Sequence, residues 1–153
     1  MGYKGDSAIK EAYIIKVDNS HHHHTTVMFE GQSVENHYDF INVYAHRSNE
    51  RIEQTLKSWA MKDYKFLDNS IVLPSDNFNA VFLLKHCAGH FASTGMKIRN
   101  LLDWLLFVER YGKFVEWGKV YEVYKNERLD RFAAILNAIG VRMLNFPKEL
   151  LLR

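Results

Sequence analysis

Between Ser33 and Phe40 the chain reads Ser-Val-Glu-Asn-His-Tyr-Asp-Phe, an order that sorts side chains by chemistry once the backbone is extended. Val34, Asn36, Tyr38 and Phe40 fall on one face, and Ser33, Glu35, His37 and Asp39 on the other. Two carboxylates and an imidazole thus occupy three successive alternate positions. Such a row suits catalytic or metal-binding work; the plainer account is the wetted outside of an ordinary strand.

Further along, His86 and His90 are four residues apart, the spacing by which one helical face offers two ligands to zinc. A zinc-protease helix needs glutamate directly after its first histidine, and Cys87 stands there instead, so that reading fails. The plainer account of the pair is polar groups at the edge of a helix interface or facing a cleft. Arg99 and Asp103 repeat the spacing and would form an intrahelical ion pair worth a few tenths of a kcal/mol. Because their helix is otherwise apolar, charge on it calls for a reason. Converging with His86 and His90, they would line one polar spot between two packed helices, where arginine is shaped to hold phosphate. The four consecutive histidines His21, His22, His23 and His24 offer up to two imidazoles per strand face, and such loop histidines also bind metal opportunistically. Cys87 falls on a core stripe and reads as a small buried hydrophobe. Trp59, Trp104 and Trp117 keep helical core spacing and read as packing. No phosphate-binding glycine loop and no nucleophile elbow occur in the sequence.

The elements that must position these groups divide the chain in two. Ala12–Val17 and Thr25–Glu30 are rich in β-branched and aromatic residues, and Gly31-Gln32 supplies a tight turn into the strand that carries Glu35 and His37. After Asn42 the period changes: Ser48 is a plausible N-cap, with Ile52, Leu56 and Trp59 at helical spacing. Residues 64–73 read as a short β excursion around Asp68-Asn69, closed by Pro74. Ser75 then caps a helix to about Phe91 or Ala92, with Val81, Leu84, Cys87, Ala88 and Phe91 as its core stripe. A helix over 97–111, apolar nearly all round, should be the most buried, with Gly112 as its C-cap. Trp117, Val120, Val123 and Tyr124 mark a third helix, and Leu129 to Ile139 a fourth, stopped at Gly140. The expected fold class is α+β: a small antiparallel sheet of N-terminal hairpin strands, then a bundle of four to five helices. Residues 1–74 would form the α+β segment and residues 75–153 the helical region packed on it.

Bulk properties narrow the class. A chain of 153 residues with 47% hydrophobic content can bury a core of its own. The net charge of +2 is too small to argue for nucleic acid by itself. Residues 1–74 hold 8 Lys/Arg against 10 Asp/Glu, and residues 75–153 hold 12 against 8, so the second half suits a polyanionic partner without requiring one. One cysteine excludes an internal disulfide and fits a reducing cytoplasm, and no run suggests a membrane span or signal peptide. Cytoplasmic localisation without a membrane partner is the expectation.

With that order laid out, the chain resembles the uncharacterised nucleotidyltransferases of the polymerase-β-like superfamily. The likeness rests on SVENHYDF with its V-E-x-H pattern, NAVFLLKHCAGHF with L-x-x-H-x-x-x-H, the following segment KIRNLLDWLLFV with R-x-x-L-D, and ILNAIGV, and runs from about residue 20 to residue 140. It implies transfer of a nucleoside monophosphate from a nucleoside triphosphate to an acceptor, with two magnesium ions held by carboxylates on adjacent strands. By position Glu35 looks like the third metal carboxylate, with His37 beside it as a catalytic neighbour. His86, His90, Arg99 and Asp103 would face the nucleotide or acceptor. The family's Gly-Ser turn and D-x-D pair are missing upstream of Glu35, where the acids are Asp6, Glu11, Asp18 and Glu30. The expectation is therefore the later part of such a protein, truncated or degenerate, and inactive alone. Two other readings stand beside it: a non-catalytic binding module pairing its open sheet edge with a partner chain, and a zinc hydrolase using the histidine tract with His86 and His90. A nucleoside triphosphate and a protein partner or missing N-terminal segment are the implied partners; the resemblance leaves nucleic acid open.

Overall fold

The computed structural model describes residues 17–18, 24–29, 31–67 and 71–152. Residues 12–16 of the first expected strand, His21, His22, His23 and the Asp68-Asn69 turn lie outside them. Three strands come first: β1 (Val17–Asp18), β2 (His24–Phe29) and β3 (Gln32–His37), antiparallel in the order β1–β2–β3. The expected hairpin is present, and Gly31 turns it with φ at 78°, a left-handed conformation that glycine adopts without a Cβ penalty. Gln32 already pairs with Phe29, so β3 begins one residue earlier than the turn assignment implied. The resulting register sets His24 opposite His37, Thr26 opposite Glu35 and Val27 opposite Val34. All six residues of β3 are exposed, Val34 included, so the apolar face expected there is not buried.

The helix α1 (Ser48–Lys62) takes Ser48 as its first residue rather than as the cap before it, and buries Ile52 and Leu56, one turn apart. Its first half also stitches down the segment that follows β3. The buried Glu53 carboxylate accepts hydrogen bonds from the backbone N–H groups of Phe40 (3.0 Å) and Ile41 (2.9 Å). Asn49 Nδ2 donates to the carbonyl of Asn42 at 2.8 Å. These bonds satisfy backbone groups that leave the sheet ladder after His37. The chain divides into two compact units, Met1–Glu53 and Gln54–Arg153, with the division inside α1.

In the second unit, β4 (Tyr64–Phe66) and β5 (Val72–Pro74) form the short hairpin expected there. Ser75 caps α2 (Asp76–Ser93), its side chain accepting from the N–H of Phe78 at 3.2 Å. Asp76, in the first helical turn, is ion-paired with Lys65 of β4. Val81, Leu84 and Cys87 form the buried stripe as expected, but Phe91 is 65% exposed, with the ring of Phe132 at 5.6 Å. The stripe ends one turn early.

The helix α3 (Ile98–Tyr111) also departs from expectation. Leu101, Trp104, Leu105 and Val108 are buried on one face, whereas Asp103, Leu106, Glu109 and Arg110 are exposed. It is therefore amphipathic rather than buried all round: the charged residues claim one side and the exposed Leu106 goes with them. Gly112 is at its C-cap but takes right-handed geometry and leads into a 3-10 turn, Gly112–Phe114. Helices α4 (Trp117–Asn126) and α5 (Asp130–Met143) follow. Gly140 does not stop α5. A Cβ there would lie 2.5 Å from Leu105 Cδ2, so the glycine is what lets α5 close on α3.

The α3–α5 interface contains a buried polar link. Trp104 Nε1 donates to Asn137 Oδ1 at 2.9 Å, and Asn137 Nδ2 donates to the carbonyl of Leu150 at 2.9 Å. Leu150 belongs to the 3-10 segment Lys148–Leu152, and both its burial and this bond tie that segment to α5. Tyr124 of α4 is fully buried and donates to the carbonyl of Ala80 in α2 at 3.0 Å. With five α-helices among the described residues after the small sheet, the fold is α+β as expected. No helix among the described residues is long and apolar enough to cross a membrane.

Candidate functional site

The hairpin brings together three side chains of the types that can ligate a metal ion. On an antiparallel pair, residues directly opposite share a face, and so do their neighbours two positions away. His24 and Thr26 of β2 therefore share a face with His37 and Glu35 of β3. His37 Nε2 lies 3.2 Å from Glu35 Oε2, and the rings of His24 and His37 are 4.9 Å apart between centroids, tilted by 34°. One ligand atom each from His24, Glu35 and His37 lies within 4.8 Å of the other two. Glu35 and His37 are solvent-facing, while His24 is buried. The Nδ1 atom of His37 is 3.3 Å from the backbone carbonyl of Asp39, so this contact to Asp39 goes through its main chain. Glu53, by holding Phe40 and Ile41, anchors the chain just beyond this contact.

Sequence reasoning found Glu35 and His37 and missed His24 as their neighbour. The signal was available: once Phe29 is paired with Gln32, simple counting along both strands sets His24 opposite His37. Glu53 was missed because a glutamate in a helix ordinarily reads as solvent-facing.

The helical candidates lie in the second unit. His86 and His90 meet as their spacing implies, with Nε2 atoms 3.1 Å apart, and the ring of Phe82 stacks on His86 at 5.9 Å. Arg99 and Asp103 are exposed on α3, and among the described residues they form no ion pair with each other. The charge of Asp103 is nonetheless felt at Cys87: burial, and then that carboxylate, push the thiol up to about 11. Cys87 is buried as its position on the core stripe implied, and its Sγ donates to the carbonyl of Asn100 at 3.1 Å. Next to the histidine pair, burial lowers the Lys85 ammonium from its ordinary range, and Glu127 opposes that shift.

A family model described as uncharacterised nucleotidyltransferase matches residues 1–145, a span that includes the hairpin and the five α-helices of the described residues. The chain belongs to that family. Its resemblance to polymerase-β-like nucleotidyltransferases, drawn from short motifs, is thereby supported over most of its length. No curated protein and no solved structure matches the chain. For a nucleotidyltransferase family, dependence on a divalent cation is the general expectation, and the hairpin offers donors for one: a carboxylate and two imidazoles within reach of a common point.

Proposed function

We propose that this chain contributes the Glu35 strand of a nucleotidyltransferase site, at which an acceptor attacks the α-phosphorus of a nucleoside triphosphate. The acceptor oxygen forms the new bond to phosphorus, the bond to the bridging oxygen breaks, and pyrophosphate leaves with that electron pair. The observation that carries the reading is the pairing of Glu35 with His37 on an exposed strand face, inside the family match. Glu35, His24 and His37 would hold a divalent cation. When bound, that cation would supply positive charge against the triphosphate. The residues themselves place the exposed Glu35 and His37 and the buried His24 on one face of the hairpin, and Glu53 fixes the chain beyond them. His86, His90, Arg99 and Asp103 remain candidates for contacting nucleotide or acceptor, Arg99 by its fork of donors.

Nucleotidyl transfer in this superfamily uses further carboxylates from a D-x-D pair, and the sequence contains none arranged that way before Glu35. Transfer therefore requires those groups from another polypeptide segment, joined to this chain or separate. In the described structure β3 is the outermost strand of its sheet with every residue exposed, which favours a second reading, a module that docks a strand from such a segment.

The testing experiment is Glu35→Gln, which keeps size and removes charge. Metal-dependent binding of a nucleoside triphosphate should fall by more than about tenfold, as expected when an ionised partner worth about 1.5–3 kcal/mol is lost, with the circular dichroism spectrum unchanged. Equal binding by the variant would reduce Glu35 to a solvated strand residue.

A further inference from the structure

The donor atoms of the hairpin cluster bear directly on which cation it can take. Magnesium demands oxygen ligands in near-ideal octahedral geometry and is slow to give up its waters. Two of the three donors here are imidazole nitrogens, which suit zinc and its neighbours in the first transition row. The spacing agrees. Zinc holds nitrogen and carboxylate oxygen at about 2.0–2.2 Å, which sets tetrahedral donors roughly 3.3–3.5 Å from one another. His37 Nε2 and Glu35 Oε2 are already 3.2 Å apart, and the His24 donor completes a group within 4.8 Å. The backbone register holds the third donor, because His24 and His37 are opposed residues of one hairpin. Three protein donors would leave a fourth position open to water or a phosphate oxygen, the pattern of reactive rather than structural zinc sites.

We propose that His24, Glu35 and His37 form an open two-histidine, one-carboxylate site for a transition-metal ion of the zinc class rather than for magnesium. The proposal deepens the reading of Glu35 as a metal carboxylate and rests on that reading for where the ion acts. It assigns His24 a role apart from the rest of the histidine tract, and it replaces the magnesium that the family resemblance implied.

The test is calorimetric titration of tag-free, chelator-treated full-length protein with zinc chloride alone and magnesium chloride alone, without nucleotide. One zinc ion per chain should bind at least about 100-fold more tightly than magnesium, as the ligand preferences of the two ions require. His37→Ala and Glu35→Gln should each weaken zinc by more than the about 10–100-fold that loss of an outer-shell partner costs. The triple variant H21A/H22A/H23A should keep zinc affinity within about threefold of the parent, since those residues are not among the three donors. Circular dichroism guards against unfolded variants, and Glu35→Gln, nearly isosteric on an exposed strand, serves if an alanine variant fails to fold. Magnesium binding as tightly as zinc would overturn the proposal. So would zinc retained by His37→Ala but lost by the triple variant, or lost by His86→Ala instead. Because no nucleotide is present, failure here is distinct from failure of the transferase reading, which is read by nucleotide binding alone.

Discussion

The β2–β3 hairpin and the α3–α5 interface use polar side chains in opposite ways. In the interface, Asn137 is enclosed and its amide bonds on both sides, to Trp104 and to the Leu150 carbonyl. In the hairpin, Glu35 and His37 are open to solvent and point their donors at one spot. A buried polar group that satisfies its partners specifies packing, and its loss leaves partners unpaired. An exposed carboxylate–imidazole pair does little for stability, and on the proposed reading its role is in binding. The comparison teaches where to look for folding and where for chemistry: substitutions in the interface should lower stability, and substitutions in the hairpin should alter binding.

The largest expected effect is on the interface. Trp104→Ala removes a fully buried indole and should cost about 3–5 kcal/mol, read as a lower urea midpoint with nucleotide or metal binding of the remaining folded fraction unaltered. Asn137→Ala leaves the Trp104 N–H and the Leu150 carbonyl without their partner and should cost about 1–3 kcal/mol per orphaned group. A smaller loss is expected for Gly140→Ala. The gain of up to about 1 kcal/mol in helix propensity is opposed by a contact at 2.5 Å with the buried Leu105, and overpacking costs about 1–3 kcal/mol. A stabilised Gly140→Ala would show that α5 shifts away from α3 without penalty and would weaken the contrast.

The effect of pH sharpens it further. Burial raises the Cys87 thiol to about 11 and raises the Tyr124 phenol well above its ordinary value. A folded-state value above the unfolded one means the fold favours the protonated form. The stabilisation is therefore complete below the unfolded values, near pH 8.5 for cysteine and about 10 for tyrosine, and is lost as pH rises through the folded ones. Denaturant midpoints should fall from about pH 9 upward, and less steeply in Cys87→Ser. In the same range Cys87 should react with iodoacetamide far more slowly than a free peptide thiol. The smallest stability change belongs to the hairpin: Glu35→Gln should shift the urea midpoint by no more than about 0.5 kcal/mol, as for other exposed sites.

Legibility in the sequence followed the same divide. Local chemistry was readable: the glycine of the hairpin turn, the Ser75 cap and the Pro74 boundary all fell where composition placed them. What failed depended on neighbours that a linear reading cannot supply. Gly140 looks like a helix stop until Leu105 is seen against it. Phe91 continues a stripe by spacing, but the buried face of α2 has already ended. Leucines around α3 suggest burial on all sides, although its charged residues decide which side faces water. At the site, Glu35 and His37 were visible because alternation alone puts them together. His24 needed the exact strand register, and a shift of one residue in where β3 starts was enough to hide it. Glu53 is a long-range partner of Phe40 and Ile41, which no periodicity announces.

The most direct measurement is metal-dependent binding of a nucleoside triphosphate to the full chain and to Glu35→Gln, followed by calorimetry under identical conditions. The account predicts binding by the parent chain, weakened by more than about tenfold in the variant at unchanged stability. Binding of equal strength in both, or none in either, would contradict the assignment of the nucleotide site to the hairpin.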